Sequence, residues 1–504
     1  MKKTILILCL IVSQVFFAQT TDLVKLAKGD YLGFNAVFDN NDNLFCYVTT
    51  YSYGKVSEKT KKFEYVILDK NLNPLLNKEF EGDITAIDYT AYMDNKNDII
   101  LYPSRFDEES VKKKDWFYPS SHVINLKTNI ISRKNFYDYD GLNFIEKTQY
   151  NSVKENKNEN KKERNEKGFV LSSKVYELKS GDFFVETHET LTNMGFEYYN
   201  SPELIFFDNQ KKEKWRYSLA KAQSAKKILI EMKLFHKDEK HLFYIKQFYS
   251  SKEKYLSYMV FEIETGKLLK EKKIEEVVIE YNSLKTFLSS INDVNNRKKF
   301  DDKFVSLYQN FGINGFSRFT ISKQTLDYDY KFLSWIDFKP FLPKIDKYGE
   351  VEKGYSLRLK DLFFHPNGEI GFLFEKIKSV NTIKTLDMVL AYTDKDFKLK
   401  EVKTLEKEKS IKEYTDFLFS QYLNKGNDVV FFFKDYQKDE VTQDKNLLLF
   451  INTYINGKFN QDQIKISSKE NIIFPYIAKE GYIMLNEYNE KEKYNQLRLE
   501  RLNY

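Results

Sequence analysis

The residues best suited to form a contact surface are three consecutive aromatic side chains, Trp116, Phe117 and Tyr118. They follow a lysine-rich stretch and Asp115 and precede Pro119, a composition typical of a loop. Exposed aromatic rings are enriched at protein interfaces, and they also stack on the faces of sugar rings. We therefore predict that these three residues form a surface contact site for a protein or a glycan.

Residue patterns for metal binding are absent from the sequence. Residues 39–43 have the oxygen-rich composition of a calcium loop, but Leu44 and Thr50 stand where such a loop requires glycine and glutamate. The 5 histidines include no pair at the spacing of three or four that a helix-borne zinc site uses. The sequence predicts no metal site and no cofactor.

Catalytic signatures are also missing. The sequence has no Gly-x-Ser-x-Gly elbow and no glycine-rich phosphate loop, and the Asp-box, Trp-Asp and kelch signatures of propeller families do not occur. Acidic residues are so numerous, 74 in all, that pairs of them carry no information about hydrolysis. We assign no catalytic residue and favour a non-enzymatic protein.

Charge and cysteine content exclude two further classes. A net charge of +6 is small for 504 residues, and the basic residues are interleaved with acidic ones instead of forming a stripe, which excludes nucleic acid as a partner. Beyond the predicted leader, Cys46 is the only cysteine, so an internal disulfide is impossible. Its apolar neighbours predict an inert thiol in a buried strand.

A repeated unit must position these residues: an apolar run, a polar turn and a second apolar run, recurring at intervals of roughly 60 residues. The copies are residues 65–72, 123–130, 204–209, 260–268, 319–326, 389–394 and 449–457. A second hairpin lies upstream of most copies, which gives four strands per unit. Many of the apolar runs do not alternate with polar residues, so these strands are predicted to be covered on both faces.

Four-stranded units with doubly covered inner strands predict an all-β fold, a β-propeller of about eight blades. An alternative is seven blades with a helical insertion, because apolar spacing over residues 284–300 suggests a short helix. The last unit, residues 472–504, lacks a partner strand. Leu23–Leu26 is the candidate to complete that sheet and remove its open edge.

Residues 1–18 have the basic start, apolar middle and small final residue of a signal peptide. Residues 19–504 are predicted to form a single propeller domain. Within it, residues 151–167 are almost entirely charged or polar and are predicted to be a flexible insertion. No later run reaches the roughly 18 apolar residues of a membrane-spanning helix. We expect no span in the mature chain, which would be exported.

The leader ending in Phe-Phe-Ala-Gln, the composition rich in Lys, Asn and Phe, and the blade segments 362–369 and 394–400 resemble uncharacterised exported β-propeller-like proteins of Bacteroidota. This resemblance implies an exported propeller and transfers no functional residue. The sequence has no recognisable C-terminal secretion domain, which favours the periplasm or the outer-membrane vicinity over secretion from the cell.

Two functions are consistent with these features. The first is a protein-interaction module whose loops on one rim bind another envelope protein. The second is a carbohydrate-binding or carbohydrate-active propeller, with aromatic rings and carboxylates converging at the mouth of the central axis. The sequence leaves open the oligomeric state and the rim that is used.

Overall fold

The structure is a computed structural model that describes residues 20–39, 43–58, 60–94, 96–106, 121–134, 136–139, 144–147, 161–162, 166, 170–193, 196–201, 203–219, 229–250, 252–274, 297–310, 315–352, 354–379, 383–407, 410–412, 415–438, 445–466, 472–489 and 494–502. The predicted signal peptide (residues 1–18) lies outside these ranges, as do the predicted contact residues Trp116, Phe117 and Tyr118. Of the predicted insertion 151–167, only residues 161–162 and 166 are described.

Eight antiparallel sheets follow one another along the chain, each built on four strands that pair in order. We name them blades 1 to 8. Strand β1 (Thr20–Asp22) comes first, and blade 1 follows with β2 (Asp30–Phe38), β3 (Leu44–Lys55), β4 (Thr60–Leu68) and β5 (Pro74–Asp83). Blade 2 contains β6 (Ala86–Met93), β7 (Ile99–Phe106), β8 (His122–Asn125) and β9 (Ile130–Arg133), and after it comes a hairpin of β10 (Phe136–Tyr139) and β11 (Phe144–Lys147). Blade 3 contains β12 (Val170–Glu177), β13 (Phe183–Asn193), β14 (Phe196–Asn200), β15 (Glu203–Phe207) and β16 (Glu213–Ser218), and blade 4 contains β17 (Leu229–Lys237), β18 (His241–Tyr249), β19 (Lys254–Glu262) and β20 (Leu268–Ile274).

The second half of the chain repeats this plan. Blade 5 contains β21 (Arg297–Lys299), β22 (Lys303–Asn310), β23 (Gly315–Ser322) and β24 (Tyr328–Ser334). Blade 6 contains β25 (Glu350–Glu352), β26 (Tyr355–Phe364), β27 (Ile370–Ser379), β28 (Ile383–Thr393), β29 (Leu399–Leu405) and β30 (Ser410–Lys412). Blade 7 contains β31 (Phe417–Leu423), β32 (Asp428–Lys438), β33 (Lys445–Ile455) and β34 (Lys458–Lys465), and blade 8 contains β35 (Ile472–Ile477), β36 (Tyr482–Asn489) and β37 (Tyr494–Arg501). Three short 3-10 helices accompany these strands among the described residues: Leu23–Lys25, Trp335–Phe338 and Asn424–Gly426.

The apolar runs without alternation are strands covered on both sides, as predicted. In β32 the side chains of Phe431 and Phe433 join a cluster with blade 6. Their neighbours Val430 and Phe432 point the other way and join a cluster with blade 8. Both faces of the strand are therefore apolar, and each fully buried side chain contributes about 1.5–3 kcal/mol.

Apolar clusters of this kind link successive blades into a propeller, which confirms the predicted fold. The clusters include residues from both members of seven neighbouring pairs: Val48 and Ile99 for blades 1 and 2, Phe184 and Tyr244 for 3 and 4, Phe243 and Phe319 for 4 and 5, Phe316 and Phe372 for 5 and 6, Leu373 and Phe431 for 6 and 7, Phe432 and Ile483 for 7 and 8, and Met484 and Tyr47 for 8 and 1. Between blades 2 and 3, Lys96 Nζ lies 3.1 Å from a carboxylate oxygen of Glu177. The predicted alternative of seven blades is wrong, because the described residues form eight sheets of four or more strands, apart from the β10–β11 hairpin.

The last sheet is closed by the N-terminal strand, as predicted, but not by the predicted segment. Strand β1 pairs antiparallel with β37, with Thr20 opposite Arg498. The candidate Leu23–Leu26 instead begins with a 3-10 helix, because the Asp22 carboxylate accepts a hydrogen bond from the Val24 amide at 3.1 Å and turns the chain. Leu23 is fully buried in the cluster between blades 8 and 1.

The helix predicted over residues 284–300 is wrong in its last part. Residues Arg297–Lys299 form β21, which pairs with Phe304–Ser306 of the next strand. Residues 297–299 are Arg-Lys-Lys and have no apolar spacing of their own, so their backbone pairing with the next strand decides their structure. The earlier part of the predicted helix lies outside the described residues.

A recurrent aspartate fixes many of the turns. Asp69 accepts hydrogen bonds from the amides of Asn71 at 2.7 Å and Asn73 at 2.8 Å. Asp394 accepts from Asp396 and Lys398 in the same way, at 2.9 Å each. The fourth residue of both turns has positive φ although it is not glycine: 66° at Leu72 and 65° at Phe397. The aspartate bonds compensate for that strain.

Cys46 is buried in the core between blades 1 and 2. Burial raises the pKa of its thiol to about 12, so the thiol is protonated at neutral pH. The thiolate is the reactive form of cysteine. This environment agrees with the predicted core position.

His122 makes the stability of the first two blades sensitive to acid. Its ring is buried beside Phe80, and its Nε2–H donates to the Glu81 carbonyl at 3.1 Å. Burial lowers its pKa to about 4, whereas an unfolded histidine titrates near 6.5. The unfolded chain therefore binds the extra proton first, and stability is lost as the pH falls from about 6.5 towards 4.

We expect His122→Gln to remove about 2 kcal/mol of the stability loss that the wild type shows between pH 7.5 and pH 5. Glutamine keeps a donor for the Glu81 carbonyl but cannot titrate. Urea unfolding of both proteins at several pH values measures this difference. Parallel pH profiles for the two proteins would show that His122 is not a source of the acid sensitivity.

Candidate functional site

The two rims of the propeller differ in their connections. The turn rim carries the links from first to second and from third to fourth strands, which are short, such as 69–73, 365–369 and 394–398. The loop rim carries the links from second to third strands and from blade to blade. Its connections include 107–121, 219–228, 275–296 and 335–349. Long connections on a rigid scaffold are the usual location of binding residues.

The predicted contact residues Trp116, Phe117 and Tyr118 belong by sequence to the link between β7 and β8. The polar stretch 151–167 lies in sequence between β11 and β12. Neither prediction can be tested, because Trp116–Tyr118 lie outside the described residues and little of 151–167 lies within them.

An insertion between blades 5 and 6, residues 335–352, lies on the loop rim, and we call it the rim insertion. It begins with the 3-10 helix Trp335–Phe338, where the Asp337 carboxylate accepts hydrogen bonds from the Ser334 amide at 2.7 Å and the Ser334 hydroxyl at 3.0 Å. It ends with β25. Sequence reasoning missed this element, although the apolar pair Trp335 and Phe338, three residues apart, was a signal for it.

One side of the rim insertion is part of the core. Trp335, Phe338 and Ile345 are buried in the cluster shared by blades 5 and 6. The Trp335 ring lies 4.9 Å from the ring of Phe316 and 5.5 Å from that of Phe374. Gly349 has φ +81°, and a Cβ there would come within 2.7 Å of the indole, so only glycine fits. The insertion is thus held firmly on the scaffold.

The other side of the rim insertion exposes large apolar side chains. Ile336, Phe341 and Tyr348 are all exposed, Tyr348 by 64%. We call these three residues the rim patch. The Lys347 ammonium lies 4.9 Å from the centre of the Tyr348 ring. Exposed apolar side chains bordered by charges are typical of protein-binding surfaces.

A Ser-His-Glu array lies between blades 3 and 4, but it is not placed for catalysis. Ser201 Oγ lies 3.3 Å from His188 Nδ1, and His188 Nε2 lies 3.4 Å from a carboxylate oxygen of Glu186. All three side chains are buried, so a substrate cannot reach the hydroxyl. The Ser201 hydroxyl accepts a hydrogen bond from the Met232 amide at 3.1 Å, which joins blade 3 to the first strand of blade 4. The array is a structural link.

A second buried polar network joins blades 6 and 7. Lys407 Nζ lies 2.8 Å from a carboxylate oxygen of Asp416, and both side chains are fully buried. Asp416 Oδ2 also accepts from the Thr385 hydroxyl at 2.7 Å, and the Asp416 amide donates to Glu375 at 3.0 Å. Lys360 lies 3.3 Å from Glu375, so the two carboxylates face two ammonium groups. The charges are compensated within the protein.

A polar groove on the outer side of blade 1 offers a different surface. It has a volume of about 740 Å³, and its lining includes Tyr53, Glu64, Asn77 and Glu79. The Tyr53 hydroxyl donates to the Glu64 carboxylate. One exposed aromatic ring beside carboxylates and an amide is a combination that suits a sugar.

Within the ranges that the structure describes, no three His, Cys, Asp or Glu side chains are grouped so that they could hold a metal ion. The same ranges contain no helix with the length and hydropathy needed to cross a bilayer.

Comparison with known proteins assigns no function to this chain. A family model described as "Family of unknown function (DUF6770)" matches residues 409–503, which cover blade 7 and most of blade 8. No curated protein matches the chain. The expected relationship to exported proteins of Bacteroidota stays a prediction.

Several solved structures are similar at low identity. Polysaccharide lyase Uly1 is 11% identical, with 96% of this chain and 95% of that chain covered and a TM-score of 0.32. The WD40 domain of SCAP from fission yeast is 9% identical, with 95% and 94% covered and a TM-score of 0.30. The β-propeller domain of the Trilobed protease from Pyrococcus furiosus is 8% identical, with 67% and 96% covered and a TM-score of 0.25. The assignment of the fold rests on the sheets of this protein.

The two sides of the rim insertion should differ in their effect on stability. We expect Trp335→Ala to lower the free energy of unfolding by about 3–5 kcal/mol, because it leaves a cavity between blades 5 and 6. Tyr348→Ser should change it by less than about 0.5 kcal/mol, because that ring is exposed. Urea unfolding measures both values. A cost below 1 kcal/mol for Trp335→Ala, or a large cost for Tyr348→Ser, would contradict the assignment of the two sides.

Proposed function

We propose that this protein is a non-enzymatic propeller, exported to the cell envelope, that binds another envelope protein through its loop rim. The observation that carries the proposal is the rim patch, with three exposed apolar side chains on an insertion whose opposite side is fixed in the core. Export rests on the leader-like residues 1–18 and is part of the proposal. The expected site is periplasmic or at the outer membrane.

The anchoring of the rim insertion favours binding. A surface segment that is already ordered loses little conformational entropy when a partner covers it. Trp335, Phe338 and the capping residues Ser334 and Asp337 provide this order. Burial of apolar side chains that are already held in place stabilises a complex, and little conformational entropy is lost in ordering them. The rim patch therefore has the properties of an anchor for a protein partner.

The burial of the Ser201–His188–Glu186 array favours binding over chemistry. Ser201 and His188 lie within hydrogen-bond distance of each other, as a catalytic pair would, but both are buried. Their hydrogen bonds to each other and to Met232 have a structural role. The rim patch has no such internal partners and faces solvent.

Replacement of the rim patch by Ile336→Ser, Phe341→Ser and Tyr348→Ser together should abolish capture of a specific envelope protein. We expect affinity to fall at least about tenfold, since buried aromatic anchors commonly contribute more than 1 kcal/mol each. The measurement is affinity purification from envelope extracts followed by titration with the purified partner. Unfolding curves confirm that the triple variant is folded.

A matched control is Leu75→Ser, because Leu75 is as exposed as Tyr348, 64%, but lies next to a turn-rim connection of blade 1. This variant should capture the same partner with wild-type affinity. Equal binding by the triple variant and the wild type would remove the rim patch from the proposal. Loss of binding in both variants would point to a non-specific apolar effect.

Carbohydrate binding is the second candidate, and the groove beside Tyr53 favours it. The groove combines that ring with Glu64, Asn77 and Glu79. One face of the ring is already occupied, because Lys62 Nζ lies 5.4 Å from its centre. A sugar would therefore stack only on the opposite face.

Glycan-array binding that disappears in Tyr53→Ala and persists in Tyr102→Ala would establish this function. Tyr102 is a suitable control because it is also an exposed tyrosine but belongs to blade 2. Trp116→Ala in the same assay tests the predicted contact residues. An array on which the wild type binds no glycan would exclude the carbohydrate candidate.

A further inference from the structure

A small cavity opens between blades 5 and 6 on the turn rim, opposite the rim patch. Its volume is about 200 Å³. The charged residues of its lining are Lys303, Arg318, Asp329, Glu369 and Lys395. This volume is below the roughly 300–1,000 Å³ of pockets for drug-sized ligands, so it suits a molecule of a few heavy atoms.

Arg318 is the central residue of this cavity because it is charged and almost completely buried. Its side chain is 7% exposed and its guanidinium lies 5.1 Å from the centre of the Phe397 ring. Burial lowers its pKa. An arginine pKa is so high in water that the group nevertheless stays charged in proteins. A buried cation of this kind is costly unless an anion compensates it.

The protein compensates Arg318 only in part. Its Nη1 donates to the Lys395 carbonyl at 2.9 Å, which is a neutral acceptor. Its Nη2 lies 3.4 Å from a carboxylate oxygen of Asp329, a long contact to a side chain that is 56% exposed. Its buried Nε has no hydrogen-bond partner among the described residues.

The other charges of the lining do not neutralise the guanidinium. Glu369 is paired with Lys400 at 2.7 Å, outside the cavity lining. Lys303 and Lys395 add two further positive charges. The lining therefore has three cations and two carboxylates, one of which is already paired. Asp394 and Asp396 also act on Arg318 from outside the lining, but Arg318 Nε still lacks an acceptor among the described residues.

We propose that this cavity binds a small carboxylate, which pairs with the guanidinium of Arg318. The planar fork of a guanidinium matches the two oxygens of a carboxylate. Asp329 supplies the same chemistry from within the chain at 3.4 Å and acts as a weak internal substitute. The ligand would displace it towards solvent, where this side chain is already largely exposed.

A monoanionic carboxylate fits better than phosphate or sulfate. Two carboxylates, Asp329 and Glu369, are part of the lining and would repel a dianion more strongly than a monoanion. The apolar part of the lining, which includes Phe300 and Phe364, suits a short hydrocarbon substituent. Acetate and propionate are therefore the probes of choice, with phosphate and sulfate as the competing anions.

The experiment is calorimetric titration and thermal unfolding of the full chain with each of these four probes in a buffer free of other carboxylates. We expect acetate or propionate to bind and to raise the unfolding temperature. Arg318→Gln should weaken binding at least about tenfold, because a charge-assisted pair is lost. Arg216→Gln is the control, since Arg216 is a partly exposed arginine paired with Glu203 and Glu213 in blade 3.

Asp329→Asn keeps the proposal falsifiable if Arg318→Gln does not fold. It removes the internal competitor, so acetate or propionate should bind several-fold more tightly than to the wild type. No binding of either probe to the wild type and to Asp329→Asn would overturn the proposal. Equal binding to Arg318→Gln, or a preference for phosphate or sulfate, would overturn it as well. Neither result bears on protein binding at the loop rim.

Discussion

The structure depends on the burial of apolar side chains between neighbouring blades. Strand β32 shows the constraint most clearly, because Phe431 packs against blade 6 while its neighbour Phe432 packs against blade 8. A sheet with two apolar faces needs a neighbour on each side, and an open row of such sheets would expose one face at each end. The pairing of Thr20–Asp22 with β37 ties the two ends of the row together. Leu23 and Tyr47 then fill the space between blades 8 and 1.

The same constraint applies to charged groups between the blades, which differ in how completely they are paired. Lys407 and Asp416 are fully buried but meet at 2.8 Å with further hydrogen bonds, so this pair is complete within the protein. Such pairs contribute less to stability than to the choice of one arrangement of neighbouring sheets. Arg318 is 7% exposed, and its carboxylate partner lies 3.4 Å away and is 56% exposed. The proposed carboxylate ligand would complete this pairing, as Asp416 completes the pairing of Lys407.

Local sequence was sufficient to predict the hairpins and the blade type, because both depend on residues close together in the chain. The turn at Asp69 is closed by the amides of Asn71 and Asn73, and the non-alternating run Val429–Phe433 indicates a strand covered on both faces. The closing strand was placed three residues too late. Leu23 is apolar because it enters the core from a 3-10 helix, and apolarity alone does not distinguish that from a strand.

The candidate sites could not be predicted in this way. The cavity at Arg318 needs the carbonyl of Lys395, which comes from the next blade, and the sequence contains no local sign of that contact. The rim insertion is defined by the contact of Trp335 with Phe374 across the same pair of blades. The sequence does not show which aromatic residue of this connection is buried. Packing gives Trp335 the anchoring role and leaves Tyr348 on the surface.

The two rims are therefore suited to different tasks for a physical reason. Turn-rim connections such as 69–73 and 394–398 are fixed by aspartate hydrogen bonds and a residue with positive φ, so they have little freedom to change length. Loop-rim connections join second to third strands or successive blades, and their lengths vary more widely. Insertion of residues 335–352 there adds an apolar surface without disturbing a sheet, because Trp335 extends the existing core. A rigid scaffold can thus present a protein-binding surface on one rim and keep a small interblade cavity on the other.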